Sequence, residues 1–417
     1  MKLGLRPILI LIVVLGMAAA LVVGAAAALR PPPIRVGILH SLSGTMAISE
    51  TAVVDAALLA IEQINAAGGV LGRQIEPVIA DGQSDEAVFA SEAERLITEE
   101  NVSVIFGCWT SACRKTVKPV FERLNHLLIY PVQNEGLEQS PNIIYMGSAP
   151  NQQIVPALSW IIENLGARLF LVGSDYVFPR MANAIMRDYA SILGGSVVGE
   201  EYVLLGSTDM QPAIDAILVA QPDAILNTIN GDSNVAFFAA LRTAGITTPV
   251  MSFSLSESEL ASMDRAQMVD DYATWTYFQS LDTPENAAFV AAFRARYGAE
   301  RVTSDPMEAS YSGVHVWAAA VAETGTPDAA VIRDAILNRS YLAPQGVIYI
   351  DGTTRHAWKT VRIGQIRADG QFDIVWESSV PIRPLPYPDT RTPLTWDALV
   401  TNLYNRWGGW SNTEVTP

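Results

Sequence analysis

The chain has 417 residues, 50% hydrophobic and 17% charged, enough for two domains with their own cores and too apolar for a disordered polypeptide. A formal net charge of −16 without a Lys/Arg cluster argues against nucleic acid as a partner, since a polyanion would be repelled at long range. His40, His126, His315 and His356 are scattered without ligand spacing, and two cysteines alone fall short of a zinc set.

In chain order, Lys2 and Arg6 precede PILILIVVLGMAAALVVGAAAAL, with small residues from Ala25 to Ala28 before Arg30. That is an export signal, cleaved or retained as an N-terminal membrane anchor, so residues from Ile34 onward are expected outside the cytoplasm, periplasmic or at the cell surface. Next, IRVGIL reads as a strand, TAVVDAALLAIEQINAAGG as a helix stopped by Gly68-Gly69, IEPVIAD as a strand, SDEAVFASEAERLITEE as a helix and VSVIFG as the third strand. HLLIYPV, a helix after Asn151, RLFLVGS, a helix from Pro179, EEYVLL, DMQPAIDAILVAQ, DAILNTI, NVAFFAALRTAG and PVMSFS continue the alternation. About ten such units exceed one sheet of usual size, so the expected fold is α/β with two doubly wound, Rossmann-like lobes. After Gln345, VIYID, WKTVRIGQI and FDIVWES suggest a small antiparallel addition, followed by a docked or frayed tail. No GxGxxG and no GxxxxGK[ST] occurs, so a nucleotide cofactor has no seat and no cofactor is expected.

Ligands of doubly wound sheets lie beyond the carboxyl ends of the strands, which points to the loops HSLSGT, GCWTS, YPVQNEG, GSDYVFP, NGDSN and SFSLSESE. In VIFGCWTSACRKTVKPVFE (104–122), Cys108 and Cys113 could pair, although a strand end and a helix start need not face their Cβ atoms toward each other. Ser111 as a nucleophile lacks a GxSxG elbow and a placed histidine. Thr110 or Ser111 reads as a helix cap, beside which a hydroxyl, free N–H groups and the Trp109 indole could hold a solute's oxygen. In TSDPMEASYSG, Asp305 at N-cap, Pro306 at N1 and Glu308 at N3 fit a capping box, while the same two carboxylates would accept from a donor-rich ligand. In GSDYVFPR a helix start at Pro179 leaves Tyr176 and Phe178 in a loop.

Many ordered runs, among them GCWTSACRKTVKPVFE, YPVQNEGLEQSPNIIYMGSAPNQQ, LVGSDYVFPRMANAI, NTINGDSNVAFF, RVTSDPMEASYSGVHVWA and APQGVIYIDG, make the chain resemble the urea-binding components of bacterial ABC transporters. These are a branch of the type I periplasmic binding proteins, related to the amide-sensing regulators of amidase operons. The resemblance implies two lobes joined by a hinge, 34–147 with 281–342 and 148–280 with 343–395, closing on urea or a short aliphatic amide that passes to a membrane permease. It implies Trp109, Ser111, Tyr130, Tyr176, Asp305 and Glu308 as ligand contacts, no metal and no catalysis. Alternatives of the same fold are a branched-chain amino acid receptor and a sensor without transport. The chain departs from the family's pattern in lacking a lipid-accepting cysteine after its apolar run and in carrying Cys113 where a small hydroxyl residue is expected.

Overall fold

The computed structural model describes residues 31–413. The expected export segment, residues 1–29, lies outside them, and no helix among the described residues is long and apolar enough to cross a membrane. The first lobe is built on five parallel strands, β1 (Ile34–His40), β2 (Ile75–Asp81), β3 (Ile105–Gly107), β4 (Leu128–Tyr130) and β5 (Ile143–Tyr145), in the order β2-β1-β3-β4-β5. Strand β1, between β2 and β3, is almost wholly buried, as an apolar run covered by helices on both faces must be. Helices Ala47–Ala66 and Asp305–Thr324 pack together against this sheet, and Trp317 sits at the centre of their core.

The second lobe holds β6 (Arg168–Ser174), β7 (Ser196–Val203), β8 (Ala224–Thr228), β9 (Val250–Ser252) and β10 (Tyr272–Trp275) in parallel. Its sheet continues antiparallel from β10 into a later hairpin, introduced below. A three-stranded antiparallel sheet, β11 (Ser340–Ala343), β12 (Gly346–Ile350) and β13 (Ala357–Trp358), intervenes in the sequence. The hairpin of β14 (Arg362–Ile366) and β15 (Phe372–Glu377) then closes the second sheet in the order β15-β14-β10-β9-β8-β6-β7.

Ile348, Ile350 and Ala357 belong to the core of the first lobe, with Ile34 and Trp317. The sequence boundary at residue 342 is therefore misplaced, and the chain returns to the second lobe only after Trp358. Periodicity shows a strand but not the sheet it joins. The connections between lobes are tied by side chains: Gln153 Nε2 donates to Phe253 O and Thr274 O at 3.1 and 2.8 Å, and Lys359 Nζ to Thr276 Oγ1 at 3.1 Å. The tail is docked: helix Pro393–Trp407, capped by Thr392, buries Trp396 in the core of the second lobe.

Candidate functional site between the lobes

The site begins where β3 ends. A Cβ at Gly107 would come within 2.3 Å of Leu39 O, so only glycine lets β3 lie this close to β1 and fixes where the next residue emerges. Cys108 follows with φ +63° and is disulfide-bonded to Cys113, their Cα atoms 5.8 Å apart. Sequence gave reason to doubt this pairing, because an extended strand end would aim the Cys108 side chain elsewhere. The left-handed backbone turns it toward the helix. Thr110 caps helix Ser111–Arg123, its Oγ1 accepting from Cys113 N at 3.0 Å.

Trp109, only 2% exposed, packs in a buried cluster with Tyr130, Tyr277 and Met307 and donates from Nε1 to Asn230 Oδ1 of the other lobe at 3.3 Å. Tyr130 donates from its hydroxyl to Trp109 O at 2.5 Å, and burial raises its phenol pKa well above the usual range. Tyr176 is the N-cap of helix Val177–Ile192, so the helix starts two residues before Pro179, and Phe178 lies in its first turn rather than in a loop. Burial first, then the charges of Tyr130 and Glu135, raise the Tyr176 phenol pKa well above its usual value, so the hydroxyl keeps its proton.

Ser111 is differently employed. Its hydroxyl donates to Glu135 Oε2 and accepts from Arg114 at 3.0 Å, within a buried network in which Arg114 and Lys115 pair with Glu138 at 2.9 and 3.0 Å. Against the cost of burial, those two cations hold Glu138 well below the usual carboxylate range. The Ser111 proton is thus spent inside the first lobe, which leaves no free donor there.

The capping box at Asp305 does not form. Ser304 is the N-cap residue and makes no side-chain cap bond; Asp305 is already helical, and its carboxylate reaches across to another segment. Oδ2 accepts from Thr276 N and Tyr277 N, both at 2.9 Å, and from Thr276 Oγ1, while Oδ1 is buried without a partner in the protein. Glu308 has both oxygens occupied, by Ser312 at 2.7 Å and by Gln345. Burial, partly offset by Lys359, raises its pKa to about 7.

Two groups passed over in the sequence complete this side. Glu257 opens a one-turn helix, Glu257–Leu260, and accepts from Gln279 N at 2.7 Å on Oε1. Its Oε2 has no protein partner, and burial, reinforced by Asp305 and Glu259, raises its pKa to about 8. Gln133 spans the lobes, donating from Nε2 to Phe253 O and Ser254 Oγ at 2.9 and 3.0 Å, with its Oε1 unpartnered. Both lie in segments that follow strands, in YPVQNEG and SFSLSESE, and nothing in their types distinguished them. Thus Trp109 and Tyr130 are joined by a hydrogen bond and share a buried cluster with Tyr277, whose N–H is held by Asp305, and Tyr176 caps a helix of the second lobe, whereas Ser111 and Glu308 are satisfied by protein groups.

Residues 34–393 match the periplasmic binding protein domain family. The chain belongs to that family. It is 24% identical over 346 residues to Leu/Ile/Val-binding protein homolog 6 of Brucella melitensis, covering 80% of this chain and 87% of that one. A 115-residue stretch is 41% identical to a limonene hydroxylase of Geobacillus stearothermophilus, but it spans 28% of this chain and only 21% of that protein. Among solved structures, a solute-binding protein of an ABC transporter from Rhodopseudomonas palustris, in complex with 3,4-dihydroxybenzoic acid, superposes with a TM-score of 0.76 at 20% identity over 85% of this chain and 99% of that one. The isoleucine complex of a branched-chain amino acid binding protein from Streptococcus pneumoniae gives 0.75 at 22% identity over 84% of this chain and all of that one. At such identities these likenesses establish the two-lobe fold and no ligand.

Proposed function

We propose that this periplasmic binding protein is the exported solute receptor of an ABC transporter, enclosing urea or a short aliphatic amide between its lobes and handing it to a membrane permease. The observation that carries the reading is the set of buried, unpartnered oxygens at the junction: Gln133 Oε1, Glu257 Oε2 and Asp305 Oδ1. A carboxyl group with a pKa raised to about 8 is protonated at neutral pH, so Glu257 offers an O–H donor to a carbonyl. Asp305 and Gln133 offer acceptors to N–H groups. One donor and two acceptors on segments that meet between the lobes are the complement of an amide, and Glu257 takes the role that the sequence assigned to the Ser111 hydroxyl. Ser111, held by Glu135 and Arg114, supports binding without turnover.

The relatives bring a second reading, a branched-chain amino acid or an aromatic acid. Either ligand presents a carboxylate, which would have to lie beside the Asp305 carboxylate at an electrostatic cost in a buried site. Calorimetry separates them: acetamide or urea is expected to bind once per chain, and leucine and benzoate not at all. Tight leucine or benzoate binding would end the amide reading.

The same geometry fixes a pH dependence. Below about 8 Glu257 carries its proton; above it the donor is lost, and a charge faces the ligand's carbonyl. Acetamide affinity is expected to be flat from pH 6 to 7.5 and then to fall, approaching about tenfold per pH unit. Glu257→Gln keeps a donor and an acceptor and is expected to abolish the fall. The sign for folding agrees. A carboxyl whose folded pKa lies above its ordinary 4.5 contributes stability that is complete below 4.5 and is lost as pH rises through about 8. A wild-type affinity that stays level to pH 9.5 would remove Glu257 from the site.

A further inference from the structure

Beyond helix Pro393–Trp407 the chain does not stop at the surface of the second lobe. Gly408, with φ +68°, ends the helix and redirects the backbone. The following residues then pair with the segment that carries Tyr176. Trp410 O accepts from Val177 N at 2.9 Å, Asn412 N donates to Asp175 O at 2.9 Å, and Asn412 Nδ2 donates to Asp175 Oδ2 at 2.7 Å. Tyr176 and Ser411 face each other as an antiparallel bridge. Tyr404 packs against Trp410, ring centroids 4.6 Å apart, so the segment has a firm base on the second lobe.

Its other side touches the first lobe. Ser411 Oγ donates to Glu86 Oε1 at 2.6 Å, and Thr116 donates to the other oxygen of Glu86 at 3.1 Å, which holds that carboxylate in place. Lys115 Nζ lies 5.5 Å from the centre of the Trp410 ring, and the same ammonium pairs with Glu138 and Glu135 beneath the Trp109 turn. Residues 408–412 thus pin Tyr176 from one side and bridge both lobes at the rim of the cleft.

We propose that this C-terminal segment is a strap that holds the lobes closed and positions Tyr176, and so sets how slowly a bound solute leaves. The proposal rests on the cleft being the solute site. Contacts to the second lobe persist whether the cleft is open or shut, but those of Ser411 with Glu86 and of Trp410 with Lys115 exist only when the lobes meet. They stabilise the closed state alone, and interactions confined to one state shift the population toward it. Removing them accelerates opening without altering the encounter with solute.

The test uses the full chain with spin labels on Glu99→Cys and Gln221→Cys, one on each lobe. Without any ligand, Ser411→Ala is expected to shift the distance distribution toward longer separations, and Ser411→Thr, which keeps the hydroxyl, to restore it. With acetamide as probe, the Ser411→Ala dissociation rate is expected to rise about tenfold, the order expected for one hydrogen bond to a charged group, with association within about twofold. Coincident distance distributions for wild type, Ser411→Ala and a chain ending at Gly408 would overturn the strap. Equal slowing of association with unchanged dissociation would overturn it too, as damage to the site. Calorimetry showing that neither acetamide nor urea binds the wild type would instead sink the amide reading, while the ligand-free comparison still judges the strap.

Discussion

Trp109→Ala is expected to lower the stability of the protein by about 3–5 kcal/mol, the cost of emptying a large aromatic site, and to weaken ligand binding as well. As a wall residue on a loop, Trp109 would be replaceable without harm to the fold. The structure places it instead at 2% exposure among Tyr130, Tyr277 and Met307, held by its backbone carbonyl to the Tyr130 hydroxyl. Removing the indole leaves a void next to a disulfide-fixed turn that cannot collapse to fill it, so little of the cost is recovered by relaxation. The Nε1 bond to Asn230 across the cleft disappears at the same time, which disfavours closure. For a lobe of this size the first melting transition is expected to fall by roughly 10 °C. Trp109→Phe fills most of the volume and lacks only the N–H, so it is expected to keep most of the stability and to lose the interlobe bond. An alanine variant melting within a degree of wild type would return Trp109 to the status of an exposed wall.

The alternating fold was legible because parallel strands buried on both faces are written as unbroken apolar runs such as RLFLVGS and DAILNTI, with helical periodicity between them. What escaped depends on neighbours distant in sequence. The pairing of Cys108 with Cys113 turns on a positive φ that no residue type announces. The spacing of Asp305 and Glu308 is that of a capping box, yet the backbone of Thr276 and Tyr277 outcompetes the helix's own N–H groups for the Asp305 carboxylate. The affiliation of β12 and β13 with the first lobe was hidden for a similar reason. Glu257 and Gln133 are ordinary loop residues until burial leaves one oxygen of each without a partner. The strap is the extreme case, since WGGWSN carries no periodicity and its meaning lies entirely in Asp175, Val177 and Glu86.

Asp305→Asn is expected to reduce affinity for acetamide or urea about tenfold to hundredfold, while Glu308→Gln leaves it within about twofold. By type and spacing the two carboxylates are equivalent; their partners divide them. At position 305 an asparagine Oδ1 takes over the bonds from Thr276 N and Tyr277 N, so the fold keeps its link between helix Asp305–Thr324 and the segment after β10. The new NH₂ then occupies the place of the unpartnered Oδ1 and presents a donor to the donors of an amide. A charge-assisted acceptor thereby gives way to a repelling donor on the ligand side, so melting without ligand is expected to change little. At position 308 both oxygens already serve Ser312 and Gln345, and Lys359 supplies the nearby positive charge. Glutamine there must turn its NH₂ to the Ser312 hydroxyl or to Gln345 Oε1, which forces those groups to reorient, and Lys359 loses the carboxyl beside it, so the damage falls on stability in the absence of ligand. Opposite signatures are therefore expected from two formally identical swaps, affinity lost at constant melting for one and melting lowered at constant affinity for the other. Equal losses of affinity in both variants would mean that Glu308 also touches the solute; no loss in either would leave Asp305 a structural bond between its helix and the segment after β10, and Glu257 and Gln133 would have to hold the ligand without it.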